Sequence, residues 1–219
     1  GDVYKRQANS NRENIILDAL VNNTQLQLII RTLKNVDRLI NSKTDSISID
    51  NLLYEITAFK AITYFLVHIA ETRNGAQCLV QNKLLQVIGD ITFLKCDLDL
   101  GLTVFTQDKL TQRSGVVELT LDEKKLNGNP NNNLSLKELT VPIFKLLTAV
   151  LISAGNQNQE LIRNVKTLLI SIRKLLICIF KYDTLEETEG SKKDHPSDDL
   201  VRLTVLLCSL TSYYGENIL

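Results

Sequence analysis

QNQELIRNVKTLLISIRKLLICIFK, from Gln157 to Lys181, decides the fold. Leu161, Ile162, Val165, Leu168, Leu169, Ile172, Leu175, Leu176, Ile179 and Phe180 recur every three or four residues. At 100° per residue they make one broad apolar stripe, which must bury against other helices. The opposite side carries Arg163, Lys166, Ile170, Arg173, Lys174, Ile177 and Lys181 at the same spacings, a basic strip with two isoleucines set into it. The stretch is therefore predicted to form one long helix, apolar on one face and semi-apolar on the other. Stacked helical arrays use helices of this kind, which touch neighbours on one side and something else on the other.

The rest of the composition agrees with a helical, globular chain. The 219 residues are 44% apolar, enough for a continuous core. Twenty-five basic residues balance twenty-five acidic ones, which argues against a dedicated nucleic-acid binder. Cys78, Cys96, Cys178 and Cys208 include no Cys-x-x-Cys pair and are expected to be buried, reduced thiols of an intracellular protein. No uncharged apolar run reaches the roughly 18 residues of a membrane span, and no signal peptide opens the chain. With no methionine, the chain is expected to be a piece of a longer protein, and residues 1–7 a non-native leader.

Working outward, Thr24 with Gln27 has the form of a capping box, predicting a helix from Thr24 to Asn41. A second helix, capped by Asp50, is predicted to run to about Arg73. Its uncharged half, Ala61 to Ala70, is expected to be surrounded by protein. Asn74-Gly75 should break it, with shorter helical pieces at Ala76 to Gln81 and Lys83 to Lys95. From Cys96 to Asn133 regularity fails apart from β-branched alternation at Thr103 to Thr106 and Val116 to Thr120. This is expected to be a long, partly ordered excursion. Helical periodicity resumes at Ser135 and reaches Ala154, with Pro142 either starting or kinking the helix. Gly155 can end it, Asn156 can cap the next, and the two would form an αα-hairpin. The acidic stretch Asp183 to Asp199 is expected to be a loop before a final helix at about Asp198 to Tyr214.

Chemistry is sparse. His68 and His195 are the two histidines, 127 positions apart, so metal centres and histidine-based triads have little to work with. His68 is expected to be a core histidine and His195 a solvated one. Asp97-Leu98-Asp99 has paired-carboxylate spacing but reads more plainly as a loop. No phosphate-cradling glycine loop or nucleophile elbow is present, so no catalytic residue, cofactor or metal is expected. The basic strip is the stronger candidate, since five cations against Glu160 leave its segment at +4. Its plainer reading is a solvated face that packs on the next repeat. The sharper one is a groove wall for an acidic amphipathic segment, anchored by Ile170 and Ile177 and oriented by the cations.

At His68-Ile69-Ala70-Glu71-Thr72-Arg73-Asn74-Gly75-Ala76-Gln77-Cys78-Leu79 the sequence resembles the C-terminal region of the giant scaffold nucleoporins of the nuclear pore inner ring. Val80 to Leu94, Leu139-Thr140-Val141-Pro142-Ile143-Phe144-Lys145-Leu146-Leu147 and the Ala154-Gly155-Asn156-Gln157 turn are similar to the same family. The likeness extends over about Asn14 to Leu219. It implies a karyopherin-like α-solenoid without enzymatic activity, located in the nuclear pore complex at the nuclear envelope. It also implies binding to other nucleoporins, in particular an amphipathic segment of a coiled-coil linker nucleoporin. No direct nucleic-acid contact and no transmembrane segment are implied.

The expected fold is all-α, an α-solenoid fragment of HEAT- or armadillo-like antiparallel helical hairpins with a long irregular loop insertion. A compact helical domain stays open on periodicity alone. N-terminal repeats are placed at 8–95, the insertion at 96–133 and C-terminal repeats at 134–219, with a loop at 183–199. Function divides into three classes. One is an architectural scaffold supporting nucleocytoplasmic transport, another a soluble transport receptor or adaptor that binds helical peptides reversibly. The third is a helical enzyme or regulator whose active site lies elsewhere.

Overall fold

Thr72 and Asn158 show how local chemistry sets the helix boundaries. Thr72 is extended, and its Oγ1 accepts the Gly75 N–H at 3.0 Å; the Asn158 side chain accepts the Leu161 N–H at 3.1 Å. Each satisfies a donor that a helix start leaves without an intrahelical partner. Thr72→Ala and Asn158→Ala are each expected to cost about 1 kcal/mol, read as a lowered unfolding midpoint with an unchanged denaturant slope.

The computed structural model describes residues 12, 14–22, 24–40, 49–95, 104–105, 111–113, 116–120, 136–186 and 196–216. Helix α1 covers 14–22. It is followed by α2 (Gln25–Arg31), a 3-10 turn (Thr32–Lys34), α3 (Asn35–Ile40), α4 (Ile49–Ala70), α5 (Arg73–Gln81), α6 (Leu84–Gly89) and a second 3-10 turn (Phe93–Lys95). Three short strands come next, β1 (Val104–Phe105), β2 (Thr111–Arg113) and β3 (Val116–Thr120). The chain then forms α7 (Leu136–Ala154), α8 (Gln159–Ser171), α9 (Arg173–Glu186) and α10 (Pro196–Glu216). The fold class is all-α. The strands make one small sheet in the order β1-β3-β2: β1 pairs parallel to β3 with Val104 opposite Leu119, and β2 pairs antiparallel with Thr111 opposite Glu118.

Contacts order the helices into two rows. In one, α7 lies against both α4 and α10; in the other, α6 lies against α2 and the first 3-10 turn on one side and α8 on the other. The rows touch through α4 with α5, α5 and α8 with α7, and α8 and α9 with α10. The burial pattern follows from that position. Ile56, Phe59, Thr63, Leu66 and Ala70 bury one stripe of α4, and Leu200, Thr204, Leu207 and Thr211 one stripe of α10. The middle helix α7 buries more of its circumference, with Leu139, Thr140, Ile143, Phe144, Leu146, Leu147, Val150 and Leu151. Each helix of this row seats a threonine inside the core. Thr63, Thr148 and Thr204 donate their hydroxyls to the carbonyls of Phe59, Phe144 and Leu200 at 2.6, 2.7 and 2.7 Å, so these small polar groups cost no unpaired donor.

Several expectations change. The predicted long helix from Gln157 is two, α8 and α9, broken at Ile172 (φ −107, ψ 20). Ser171 Oγ donates to the Leu168 carbonyl at 2.6 Å, and the Ile172 N–H is shared between Leu168 and Leu169. That competition for one carbonyl loosens the ladder and bends the rod. Its start is capped by Asn158, not Asn156, because Gln157 takes the left-handed turn conformation (φ 63).

Thr24 forms no capping box. It is left-handed (φ 56), and its N–H bonds the Val21 carbonyl, because the chain is already helical in α1 and Thr24 is the joint between two helices. The helix predicted to Asn41 is interrupted by the 3-10 turn. Helix α4 starts at Ile49, placing Asp50 within its first turn, and ends at Ala70. Asn74-Gly75 does not break a helix but opens α5. Pro142 lies inside α7, which runs through it. Helix α9 continues to Glu186 and α10 begins at Pro196, so both helices reach into the stretch 183–199, of which 187–195 lie outside the described residues. Asp97, Asp99 and His195 lie outside the described residues.

Candidate partner-binding surface

Seven of the ten stripe residues of 157–181 are buried with relative exposures of 6% or less up to Leu175, Ile179 is at 1%, and Leu176 is half-buried. The exception is Phe180, which was placed on the core stripe but is 40% exposed. Past the break at Ile172 the core-facing arc narrows, and a residue at its edge turns outward.

The structure leaves all seven residues of the predicted strip exposed: Arg163, Lys166 and Ile170 on α8, and Arg173, Lys174, Ile177 and Lys181 on α9. Ile170 is 65% and Ile177 51% exposed. Within α9, Arg173, Ile177 and Phe180 share one side at three- and four-residue spacing, so the apolar part of this face is larger than the sequence indicated. Among the described residues Arg163, Lys166, Arg173 and Lys174 have no carboxylate at ion-pair distance, whereas Lys181 has an interaction of its own. A further residue that sequence reasoning missed as a surface group is therefore Phe180; its signal was its position at the stripe's edge.

No competing chemical site emerges among the described residues. His68, expected in the core, is 64% exposed and pairs with Glu71 at 3.1 Å. Tyr64 and Phe65 beside it are 61% and 40% exposed, so Ala61 to Ala70 is not enclosed by protein. Between α1 and the end of α4 lies a cavity of about 330 Å³, whose walls include Ile16, Leu17, Leu20, Phe65, His68 and Ile69. Helix α1, which forms one wall, gave no signal that the sequence reading singled out. The hydroxyl at the cavity, Thr72 Oγ1, is committed to the α5 cap and the Ile69 carbonyl, leaving His68 no activated nucleophile to serve.

The described thiols offer none either. Cys78, Cys178 and Cys208 are half-buried thiols outside any disulfide. Burial, with Asp18 nearby, pushes the Cys78 thiol up, and burial does the same at Cys208, so both hold their protons more tightly than an ordinary cysteine. No cluster of three or more metal-ligating side chains occurs among the described residues, and no described helix is long and apolar enough to cross a membrane.

An all-α body with an exposed basic face, and with no convergent catalytic groups among the described residues, is accompanied by an extended family match. Residues 5–211 match the family described as "Nuclear pore complex scaffold, nucleoporins 186/192/205". The chain belongs to this family. It is thus a scaffold nucleoporin of the nuclear pore complex at the nuclear envelope, with other nucleoporins as its partners. No curated protein matches the chain. The match takes in α1 through most of α10, and therefore both helix rows and the whole of the basic face.

Proposed function

We propose that this chain is a length of α-solenoid in the inner ring of the nuclear pore complex, without enzymatic activity. There it holds segments of linker nucleoporins, among them the coiled-coil linker, and so supports nucleocytoplasmic transport. The observation that carries this reading is the two-row arrangement. Helices that are not consecutive in the chain stack on each other, α4 on α7 on α10, while α6 and α8 are in contact in the second row. Such a stack contacts mainly its nearest neighbours and leaves long lateral faces for ligands. The exposed strip on α8 and α9 is one such face.

The experiment is photobleaching of the tagged full-length protein at the nuclear rim. A scaffold subunit is expected to recover only slowly, because its release requires many contacts to break together. Recovery as fast as that of a shuttling transport receptor overturns the proposal.

A further inference from the structure

We infer that the outer face of α8 and α9 is a docking site for an acidic amphipathic helix supplied by another polypeptide. The inference rests on the scaffold reading and deepens it by naming the surface and the chemistry of its occupant. Three exposed apolar side chains, Ile170, Ile177 and Phe180, form the seat. Arg163, Lys166, Arg173 and Lys174 rim it, all exposed and without a carboxylate partner among the described residues.

From Arg163 to Lys181 the face is about 27 Å long at 1.5 Å per residue, room for about five turns of a partner helix. Isoleucines at 65% and 51% exposure keep apolar area in water that a helix laid along the face would remove. The rim chooses the sign of that helix. A basic or neutral one would leave four cations unmatched or repelled, whereas acids flanking an apolar stripe meet them and fix its register. Glu160 is the one acid on the described part of α8, at its first turn and away from the isoleucines, so the face stays basic where the anchors sit. The bend at Ile172 divides the seat, with Ile170 before it and Ile177 and Phe180 after it, which favours a helix that touches on both sides of the bend over one side chain in a pocket.

The test places a photo-crosslinking amino acid at Ile177 of the full-length protein in cells. Irradiation is expected to join it to another polypeptide, and the joined peptide should carry acids flanking apolar residues at three- and four-residue spacing. Lys166→Glu with Arg173→Glu should lower the adduct yield about tenfold or more. Lys166→Arg with Arg173→Lys should preserve it, and helicity should be unchanged in both pairs. An adduct within the same chain, to nucleic acid, to a neutral or basic segment, or no adduct at all overturns the inference, as does a yield indifferent to charge reversal. Photobleaching keeps the two failures apart. Slow exchange with an intramolecular adduct removes this surface and leaves the scaffold reading standing, while fast exchange removes the scaffold reading itself.

Discussion

Gly75→Ala is expected to lower stability by roughly 2–4 kcal/mol, while Gly89→Ala stays neutral or gains up to about 1 kcal/mol. Gly75 is buried in the first turn of α5, where α4 has just ended. A methyl group there would sit inside the van der Waals surface of the Ile69 carbonyl oxygen and 2.8 Å from Thr72 Oγ1. The first obstacle is backbone, which cannot rotate away as a side chain could. The second is the cap that starts α5, so relieving the clash also removes the Thr72 hydrogen bond. Gly89 provides the contrast, because its added methyl would meet Leu168 Cδ1 at 3.6 Å, an ordinary packing distance. Guanidinium unfolding followed by circular dichroism measures both. Equal midpoints for the two variants would show that the α4–α5 corner gives way cheaply.

The same corner shows what the sequence carries and what it hides. Asn74-Gly75 looks like a helix breaker, yet the break comes earlier, at Glu71-Thr72, and the glycine is needed for close approach to α4. Non-glycine residues in the left-handed conformation, Thr24, Lys83 and Gln157, make three of the joints. Their identities give no warning, because the strain at each is imposed by helices packing on both sides of the joint. Periodicity, by contrast, reported α7 and the stripes of α8 well, since a helix with a wide apolar arc has few other ways to bury it.

The exposed strip was legible for a related reason. Ile170 and Ile177 fall on the side opposite the core stripe, and a rigid helix cannot bury both sides unless a neighbour arrives. The exposure of Phe65 and His68 was not legible, because an uncharged helix surface does not reveal whether anything covers it. Phe180 was missed for the opposite reason. Its place on the stripe was right for an unbroken helix, and the break at Ile172 comes from the Ser171 hydroxyl, a signal too local for periodicity to register.

Asp37→Ala is expected to cost about 3–4 kcal/mol and Asp37→Asn about 2 kcal/mol. Asp37 sits on α3 at 6% exposure and holds a segment 55 residues away. Its carboxylate accepts the Thr92 N–H at 3.1 and 3.0 Å, the Phe93 N–H at 3.0 Å and the Thr92 hydroxyl at 2.7 Å. These donors open the 3-10 turn Phe93–Lys95, so a side chain from the start of the chain caps a turn after α6. Phe93 follows directly and meets Phe59 of α4 edge-on at 6.1 Å, so the clasp also positions an aromatic contact between the rows. Alanine takes the acceptor away from the buried Phe93 N–H and from the part-buried Thr92 N–H and hydroxyl. Asparagine keeps one acceptor oxygen but turns an amide donor towards the others, which is why it should rescue only part of the loss. Nearby, Lys34 and Asp90 bridge the same two segments at 2.8 Å, but Asp90 is exposed and the pair cannot replace the clasp. A double-mutant cycle between Asp37→Ala and Thr92→Val isolates the hydroxyl, with an expected coupling of about 1–2 kcal/mol. If Asp37→Ala cost less than about 1 kcal/mol, water would have to reach the two N–H groups, and the joint between α3 and the end of α6 would be looser than its burial implies.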